Sequence, residues 1–393
     1  MMEQEALAIA QQAAAALDPS VTSGTMTGPA VVGASSSSSA LLHEREVVRS
    51  TGRGAISSFL DLHTCFSVLR ASGKVVVFDT RIPIQLAFYA LVEHDMQAAP
   101  LWDPTACQFV GLLTVTDFID ILRYYRRTNA DVSTLATRSI TDILSDTNIL
   151  NTVLVRHIPR RGGTAGVTTA SNAPTPTSNI SHHCTFLSAD ANTTLKHACR
   201  LLHRNSLDFL PVILPDDMRV LATITYTTIL EHLVTNFREQ RRLFDDTVYD
   251  LGIGTYHDNV ITVTSSQSLA DVLHTMHVNG LSAVPVVDEK TKKILGVYSR
   301  SDITFLATAS DAEDAVANLD LSLDVLMSQR RTDVTTPDAL HTCTVGHTLQ
   351  SIFEYFAQWK FNRLIVVDDE ERVVGVVSAR DLVAYFLDER GTS

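Results

Sequence analysis

The chain has 393 residues, 31 Lys+Arg against 44 Asp+Glu for a formal net charge of −13, and 45% hydrophobic residues. This is a globular composition, long enough for two or three domains, and it excludes a wholly disordered chain. The acidic balance argues against general nucleic-acid binding, and no apolar run reaches the ~18 residues of a membrane span, so neither nucleic acid nor membrane insertion is expected.

Residues 1–54 read as a flexible low-complexity extension. The opening MMEQEALAIAQQAAAAL suits a short Ala-rich helix and offers no secretory signal, and a serine run follows from Ser35 to Ser39. The five cysteines, Cys65, Cys107, Cys184, Cys199 and Cys343, are odd in number, far apart and form no CxxC. They are expected to be reduced thiols of an intracellular protein.

Four segments then share one local grammar of amphipathic helix, apolar strand, turn, apolar strand and second helix. Their limits are 55–130, 137–236, 245–312 and 321–390, the second carrying a Gly/Ser/Thr/Pro-rich, solvent-exposed insertion over 159–182. Pro100, Pro211 and Pro285 stand at the start of the first apolar strand in repeats 1 to 3, and seventeen residues after each comes Asp117, Thr228 or Asp302. In repeat 4, Ile365 takes the proline's place and Asp381 follows 16 residues later. Three residues before each helix-start position stands a hydroxyl: Thr114, Thr225, Ser299 and Ser378.

The leading helices carry single apolar stripes: Leu195, Ala198, Cys199 and Leu202; Leu269, Val272, Leu273 and Met276; Leu349, Ile352, Phe353 and Phe356. The strands AVPVV and RLIVV are apolar throughout, as suits strands covered on both faces. Each repeat is therefore an α+β unit of order β-α-β-β-α. Its core is thin, so pairing the units makes the even number meaningful.

The helix-start carboxylates Asp117, Asp302 and Asp381 admit two readings. They can cap free backbone N–H groups, or they can accept both hydroxyls of a ribose while the hydroxyl three residues earlier contacts sugar or phosphate. The crevice-facing start of the first strand carries Gln97 and Ala98, Asp208 and Phe209, Ser282 and Ala283, and Asn362 and Arg363. Of these only Arg363 is cationic. Arg300 beside Ser299, Arg380 before Asp381, and Arg330 and Arg331 ahead of repeat 4 are further candidates for a phosphate, against a solvent-facing role.

Catalytic signals are missing: the sequence holds no GxSxG, HExxH, P-loop or dinucleotide fingerprint. His182, His183 and Cys184 lack a complementary Cys/His cluster, so no metal site is expected. His63, His94, His203 and His277 read as surface or core-edge histidines, and Trp102 and Trp359 as packing residues.

The phrases VVFDTRIPIQLAFYALVEHDMQAAPLWD, FVGLLTVTDFIDILRYYRR, IGTYHDNVITV, LSAVPVVDE and RLIVVDDEERVVGVVSARDL resemble the gamma subunits of AMP-activated protein kinase and their yeast-type equivalents. The resemblance covers residues 55–390. It implies four cystathionine-beta-synthase-type (CBS) repeats in two Bateman-type pairs, packed head-to-head as a flattened disk. It also implies a non-catalytic regulatory chain partnered by a serine/threonine kinase alpha subunit and a scaffold beta subunit. AMP, ADP or ATP would then bind in the crevices. Cytoplasmic residence is implied, with a nuclear one left open.

Under this resemblance the ribose-binding aspartates fall on Asp117, Asp302 and Asp381, and the normally empty site on repeat 2 with Thr228. Departures accompany it. Gln97 stands for an Arg, Asp208 and Phe209 for His-Arg, Tyr226-Thr227-Thr228 for a lysine-containing segment, and Asn362 for a His. The expectation is a weak or empty Asp117 site, with binding retained at Asp302 or Asp381 through Arg363. A constitutive assembly core without nucleotide sensing is the alternative.

Overall fold

The computed structural model describes residues 34–69, 75–94, 96–146, 148–149, 186–214, 216, 218–237, 245–302, 312–329 and 339–387. The expected insertion at 159–182, the His182-His183-Cys184 run and Arg330–Arg331 lie outside them. The chain divides into two units, Met1–Val47 and Val48–Ser393. The first contributes to the described structure only the start of helix α1 (Ala34–Leu62), and every sheet belongs to the second. The sequence reading placed a low-complexity extension through residue 54, but α1 runs across that boundary. Ile56 and Leu60, one turn apart, are buried in a core, and that apolar contact accounts for helix over this stretch.

Four small sheets follow in chain order. Repeat 1 has β1 (Phe78–Asp79), α2 (Ile84–Glu93), β2 (Ala98–Asp103), β3 (Gln108–Thr114) and α3 (Val115–Thr128). Repeat 2 has β4 (Ala189–Asp190), α4 (Leu195–Arg204), β5 (Leu210–Leu214), β6 (Arg219–Ile224) and α5 (Tyr226–Asn236). After β7 (Thr255–Tyr256), repeat 3 has β8 (Val263–Thr264), α6 (Leu269–Val278), β9 (Ala283–Val287) and β10 (Ile294–Ser299). Repeat 4 has β11 (Thr342–Cys343), α7 (Leu349–Trp359), β12 (Arg363–Val367), β13 (Val373–Ser378) and α8 (Ala379–Leu387).

In every sheet the short first strand runs parallel to the second, and the second and third form an antiparallel hairpin with one register shift. The hairpin turns are equivalent too. Cys107, Met218, Lys292 and Glu371 adopt positive φ of 50°, 55°, 58° and 64° at their ends. Asp103, Asp288 and Asp368 fold three of the turns by accepting backbone N–H bonds, at 2.8 Å from Thr105, 2.6 Å from Thr291 and 2.8 Å from Arg372. All three expected helix stripes are buried, and repeat 1 adds Ile84, Ala87, Phe88 and Leu91.

The repeats are joined in two ways. Segments entering the repeats are exchanged within pairs. The entering stretch of repeat 1 docks on the start of α4 in repeat 2, where Leu195 N–H donates to His63 O at 2.8 Å. The entering stretch of repeat 2 docks on repeat 1 through Ile84 N–H to Arg138 O at 3.0 Å. Repeats 3 and 4 do the same through Leu269 N–H to Leu321 O and Leu349 N–H to Asp246 O, both 2.9 Å. In addition β7, in the entering segment of repeat 3, pairs antiparallel with β13 of repeat 4. The helical faces then meet across the pairs. One apolar core is built from the sheets and helices of repeats 1 and 3 with the entering segments of repeats 2 and 4, such as Ile140 and Leu323. The other is built from those of repeats 2 and 4 with the entering segments of repeats 1 and 3, such as Ile56, Leu60 and Val248.

Candidate functional site

In repeats 1, 2 and 4 the hairpin delivers its last strand directly into the start of a helix, and there the repeated hydroxyls and the side chains of Asp117, Thr228 and Asp381 sit; in repeat 3 the residues following Asp302 lie outside the described ones. In repeat 1, Thr114 and Asp117 close a capping box at the start of α3. Asp117 N–H donates to Thr114 Oγ1 at 3.2 Å, while the Thr114 N–H and hydroxyl donate to Asp117 Oδ2 at 2.8 and 2.7 Å. Both residues are buried, at 3% and 2% exposure. Repeat 4 reproduces the geometry at half-buried positions, with Ser378 N–H and Oγ donating to Asp381 Oδ2 at 2.9 and 2.7 Å.

Repeat 2 keeps the cap without the charge. Thr225 N–H donates to Thr228 Oγ1 at 2.9 Å, and Thr228 N–H donates to Thr225 Oγ1 at 3.2 Å. Repeat 3 differs from all three. Its Ser299 hydroxyl lies 2.7 Å from Ser301 Oγ, and Asp302 N–H donates to the Ser299 carbonyl at 2.9 Å rather than to its hydroxyl. Capping is therefore realised at Asp117 and Asp381, through one oxygen in each.

The starts of the first strands lie beside these boxes. Val115 N–H donates to Gln97 O at 3.1 Å, Arg300 N–H to Ser282 O at 2.9 Å and Ala379 N–H to Asn362 O at 2.9 Å. Ala283 and Arg363 stand directly opposite Ser299 and Ser378 in the strand registers. So in repeats 3 and 4 the residues selected by spacing are brought together, each beside its own hydroxyl and carboxylate.

The cations are placed less simply. Arg300 is almost fully enclosed, at 1% exposure, and its Nη2 lies 2.5 Å from Oδ2 of Asp120, one turn after Asp117. None of its side-chain nitrogens meets hydrogen-bond geometry, so the contact is an ion pair without directional bonding. Asp120 Oδ1 also accepts from Arg123 Nη1 at 2.9 Å. Burial, partly offset by Asp120 and reinforced by Arg300, lowers the Arg123 pKa. Asp120 and Arg123 were not singled out from the sequence; a charged residue on the inner side of α3 is the only signal they leave.

Arg380 reaches across to repeat 2, its Nη2 donating to Ser206 Oγ at 3.2 Å. Thr227, in the segment where the resemblance expects a lysine, donates to Asn362 Oδ1 at 2.8 Å, where it expects a histidine. A neutral hydrogen bond thus joins two positions expected to be cationic.

Cys65, Cys107, Cys199 and Cys343 are free thiols, and burial raises the pKa of Cys65 to about 11 and of Cys343 to about 12. Trp359 stacks on His341 with ring centroids 5.0 Å apart, and Trp102 packs edge-on against Phe109. Among the described residues no group of three or more His, Cys, Asp or Glu side chains is placed to hold a metal, and no helix is long and apolar enough to cross a membrane.

The CBS-domain family model matches residues 180–235, 250–307 and 332–388, which are repeats 2, 3 and 4. A protein of Dictyostelium discoideum named 5'-AMP-activated protein kinase subunit gamma is 30% identical over 352 residues, 88% of this chain and 55% of its own length. The human protein named 5'-AMP-activated protein kinase subunit gamma-3 is 30% identical over 341 residues, 86% of this chain and 61% of its own length. The chain is a CBS-domain protein homologous to AMP-activated protein kinase gamma subunits.

It spans little more than half the length of these relatives. A solved protein of Methanocaldococcus jannaschii, described as a proposed archaeal homolog of g-AMPK, superposes with a TM-score of 0.58 at 16% identity. It covers 82% of this chain and 99% of the archaeal one, and shows the shared fold. Repeat 1, which the family model does not match, carries the same order of its three strands and the same capping box as repeat 4, whose sheet adds β7 at its edge.

Proposed function

We propose that this CBS-domain protein is a non-catalytic regulatory subunit of an AMP-activated-type serine/threonine kinase, partnered by a kinase alpha subunit and a scaffold beta subunit. In this reading the two CBS pairs pack head-to-head through their helical faces, and the repeats bind AMP, ADP or ATP in crevices. Asp117, Asp302 and Asp381 accept ribose hydroxyls, with Thr114, Ser299 and Ser378 beside them. Ser282, Ala283 and Asn362 line the crevices, and Arg363 and Arg380 serve phosphates; Arg300, enclosed and paired with Asp120, is withdrawn from that role. No metal takes part.

The observation that carries the reading is the recurrence of one hydroxyl–carboxylate box at the same hairpin-to-helix junction in repeats 1 and 4, with an uncharged copy in repeat 2. A cap alone requires no such carboxylate, because Thr228 caps without one. Each box uses Asp Oδ2 for the cap, which is compatible with the same carboxylate meeting a sugar. Binding would act on the kinase only through a difference in affinity between two arrangements of the complex.

The cation pattern makes the sites unequal. Gln97, at the strand start beside the Asp117 box, supplies no positive charge, whereas Asp381 has Arg363 and Arg380 on its own repeat. A charged phosphate contact contributes roughly 1.5–3 kcal/mol, so the Asp117 crevice binds weakly or stays empty. The Thr227–Asn362 bond and the engagement of Arg300 by Asp120 favour a second reading, a constitutive core that assembles the kinase without sensing nucleotides. The deciding experiment is calorimetric titration of AMP, ADP and ATP into the co-purified complex with Asp117→Thr, Asp302→Thr and Asp381→Thr. Loss of binding on Asp381→Thr with little change on Asp117→Thr is the expected result. Equal losses at both overturn the unequal-site assignment, and no saturable binding in the parent complex leaves the constitutive core.

A further inference from the structure

Two residues before each leading helix stands a dock for the exchanged segments. The carbonyls of Ile82, Thr193, Gln267 and His347 accept the N–H of Ile140, Cys65, Leu323 and Val248, at 3.0, 2.7, 3.0 and 3.2 Å. Each dock residue closes a turn by donating its own N–H three residues back, to the carbonyl of Asp79, Asp190, Thr264 or Thr344. In repeats 1 and 2 the turn is braced by that Asp side chain, which accepts from Arg81 N–H at 2.9 Å and from Asn192 N–H at 2.7 Å. In repeats 3 and 4 a threonine takes the Asp position, and the brace comes from the dock residue instead. Gln267 Oε1 accepts from Thr264 N–H at 3.2 Å, and His347 Nδ1 accepts from Thr344 N–H at 3.0 Å. Of the four dock residues only His347 can change its charge.

A backbone N–H can only donate, so Nδ1 of His347 carries a lone pair and the ring hydrogen sits on Nε2, 2.9 Å from Tyr355 Oη. Both nitrogens of the neutral imidazole are thus engaged. A proton added at Nδ1 turns the acceptor into a second donor. The Thr344 hydroxyl, 2.9 Å away, can rotate to accept it, but the Thr344 N–H cannot, and it is left facing a cation. The same turn presents His347 O to Val248 and leads into Leu349, whose N–H donates to Asp246 O at 2.9 Å. The segment held there runs on to β7 and buries Val248, Leu251 and Ile253 in the core of repeats 2 and 4.

The other ionisable groups of this junction are Tyr355 and Glu354 on α7, with Glu354 Oε1 accepting from Gln350 Nε2 at 2.7 Å, and Asp245, Asp246 and Asp250 on the docked segment. Asp246 is held by Arg49 of α1 at 2.8 Å. Two imidazoles stand nearby: His257, whose Nε2 lies 3.2 Å from Tyr249 Oη, and His341, stacked on Trp359 beyond Tyr355. We propose that His347 is a proton-sensitive latch that fastens the entering segment of repeat 3 to repeat 4. The reciprocal dock at Gln267, with the same backbone bonds and a neutral brace, holds its segment independently of pH. An undocked ring takes up a proton freely and a docked one does not, so docking is strongest where the ring is neutral and weakens as pH falls. The latch stands whether or not the repeats bind nucleotides.

The test is amide hydrogen exchange of the full chain with its co-purified partners at pH 7.5 and 5.5, corrected for intrinsic exchange rates and resolved to single amides. Opening at the Val248 and Leu349 amides is expected to rise at least about fivefold at the lower pH, the ceiling for one proton being about tenfold per pH unit. The Leu323 and Leu269 amides of the reciprocal dock should stay unchanged. His347→Gln copies the brace that repeat 3 already uses, so it should keep the protection seen at pH 7.5 and abolish the rise. Gln267→His, an exposed position, should confer a rise on Leu323 and Leu269. His257→Gln and His341→Gln should leave the rise at Val248 and Leu349 in place. No rise in the parent, a rise that survives His347→Gln, or one abolished by His257→Gln or His341→Gln overturns the proposal. Failure of Gln267→His to transfer the response does so too.

Discussion

Asp120 stands between two arginines in the interior, and the two ways of breaking that cluster should differ sharply. Asp120, Arg300 and Arg123 have side-chain exposures of 3%, 2% and 15%, with Asp120 the only described carboxylate paired to either arginine by an ion pair. Asp120→Asn removes the negative charge and leaves two enclosed guanidinium groups facing each other. Breaking a buried pair from one side costs about 3–5 kcal/mol, and the mutual repulsion places this variant at the upper end. Arg300→Met instead removes a group whose nitrogens make no hydrogen bond, and Asp120 keeps Arg123 at 2.9 Å. Exchange for an apolar side chain of similar length should then change stability by no more than about 1.5 kcal/mol. Urea denaturation of the purified chain, comparing midpoints at unchanged slope, measures both. If Arg300→Met proved as damaging as Asp120→Asn, the assignment of Asp120 as the shared counter-ion would be wrong.

Three further outcomes follow from other contacts. Gly254 has φ +105°, and a Cβ there would lie 2.6 Å from Val376 O and 2.8 Å from Val377 Cγ2, so Gly254→Ala should lose about 3 kcal/mol from backbone strain plus crowding. Gly280→Ala, with φ +66° and open space, should lose only about 1–2 kcal/mol in the same denaturation experiment, and equal losses would argue against the close approach of β7 to β13. Burial depresses the pKa of both His232 and His341 from the ordinary 6.5, with His63 adding to the effect at His232. The unfolded chain takes up these protons first as pH falls, so their contribution to stability is full above about pH 6.5 and is lost from there down to the folded-state values. The thermal midpoint should therefore drop between pH 7.5 and 5.5, and less steeply in His341→Gln; identical slopes would remove the histidines as the cause. At the capping boxes, Asp381→Thr should hold stability to within about 0.5 kcal/mol because threonine caps in the same way at Thr228, whereas Asp381→Ala should lose about 1 kcal/mol by chemical denaturation; a matching loss in both would show that the carboxylate itself is needed for the cap.

The candidate site was legible where its signal is local. Thr114 with Asp117 and Ser378 with Asp381 form the capping boxes that a three-residue separation at a helix start allows, because that separation places a side chain within reach of the free N–H groups of the first turn. Asp302 has the same spacing, yet Ser301 supplies a competing hydroxyl and the local bonding differs. Arg300 looked available for a phosphate because adjacency to Ser299 says nothing about direction. Its partner Asp120 lies in another repeat, and only packing of α3 against repeat 3 brings them together.

The sequence by itself determined the repeated strand-and-helix grammar and the buried stripes of the leading helices. In repeats 1, 2 and 4 it also determined the hydroxyl caps of the second helices, whose first turns begin two residues before Asp117, Thr228 and Asp381. Periodicity and capping act over a few residues and leave their pattern in the chain. Tertiary structure alone decided which repeat receives each entering segment and which helical faces share a core. The exchanged contacts involve single backbone pairs such as Leu195 with His63 and strands as short as Thr255–Tyr256, and such pieces carry no period to read. Apolar faces are likewise interchangeable in sequence, because burial rewards area without naming a partner. Repeat 1 with 3 and repeat 2 with 4 are therefore choices made by the connections and by the fit of whole surfaces.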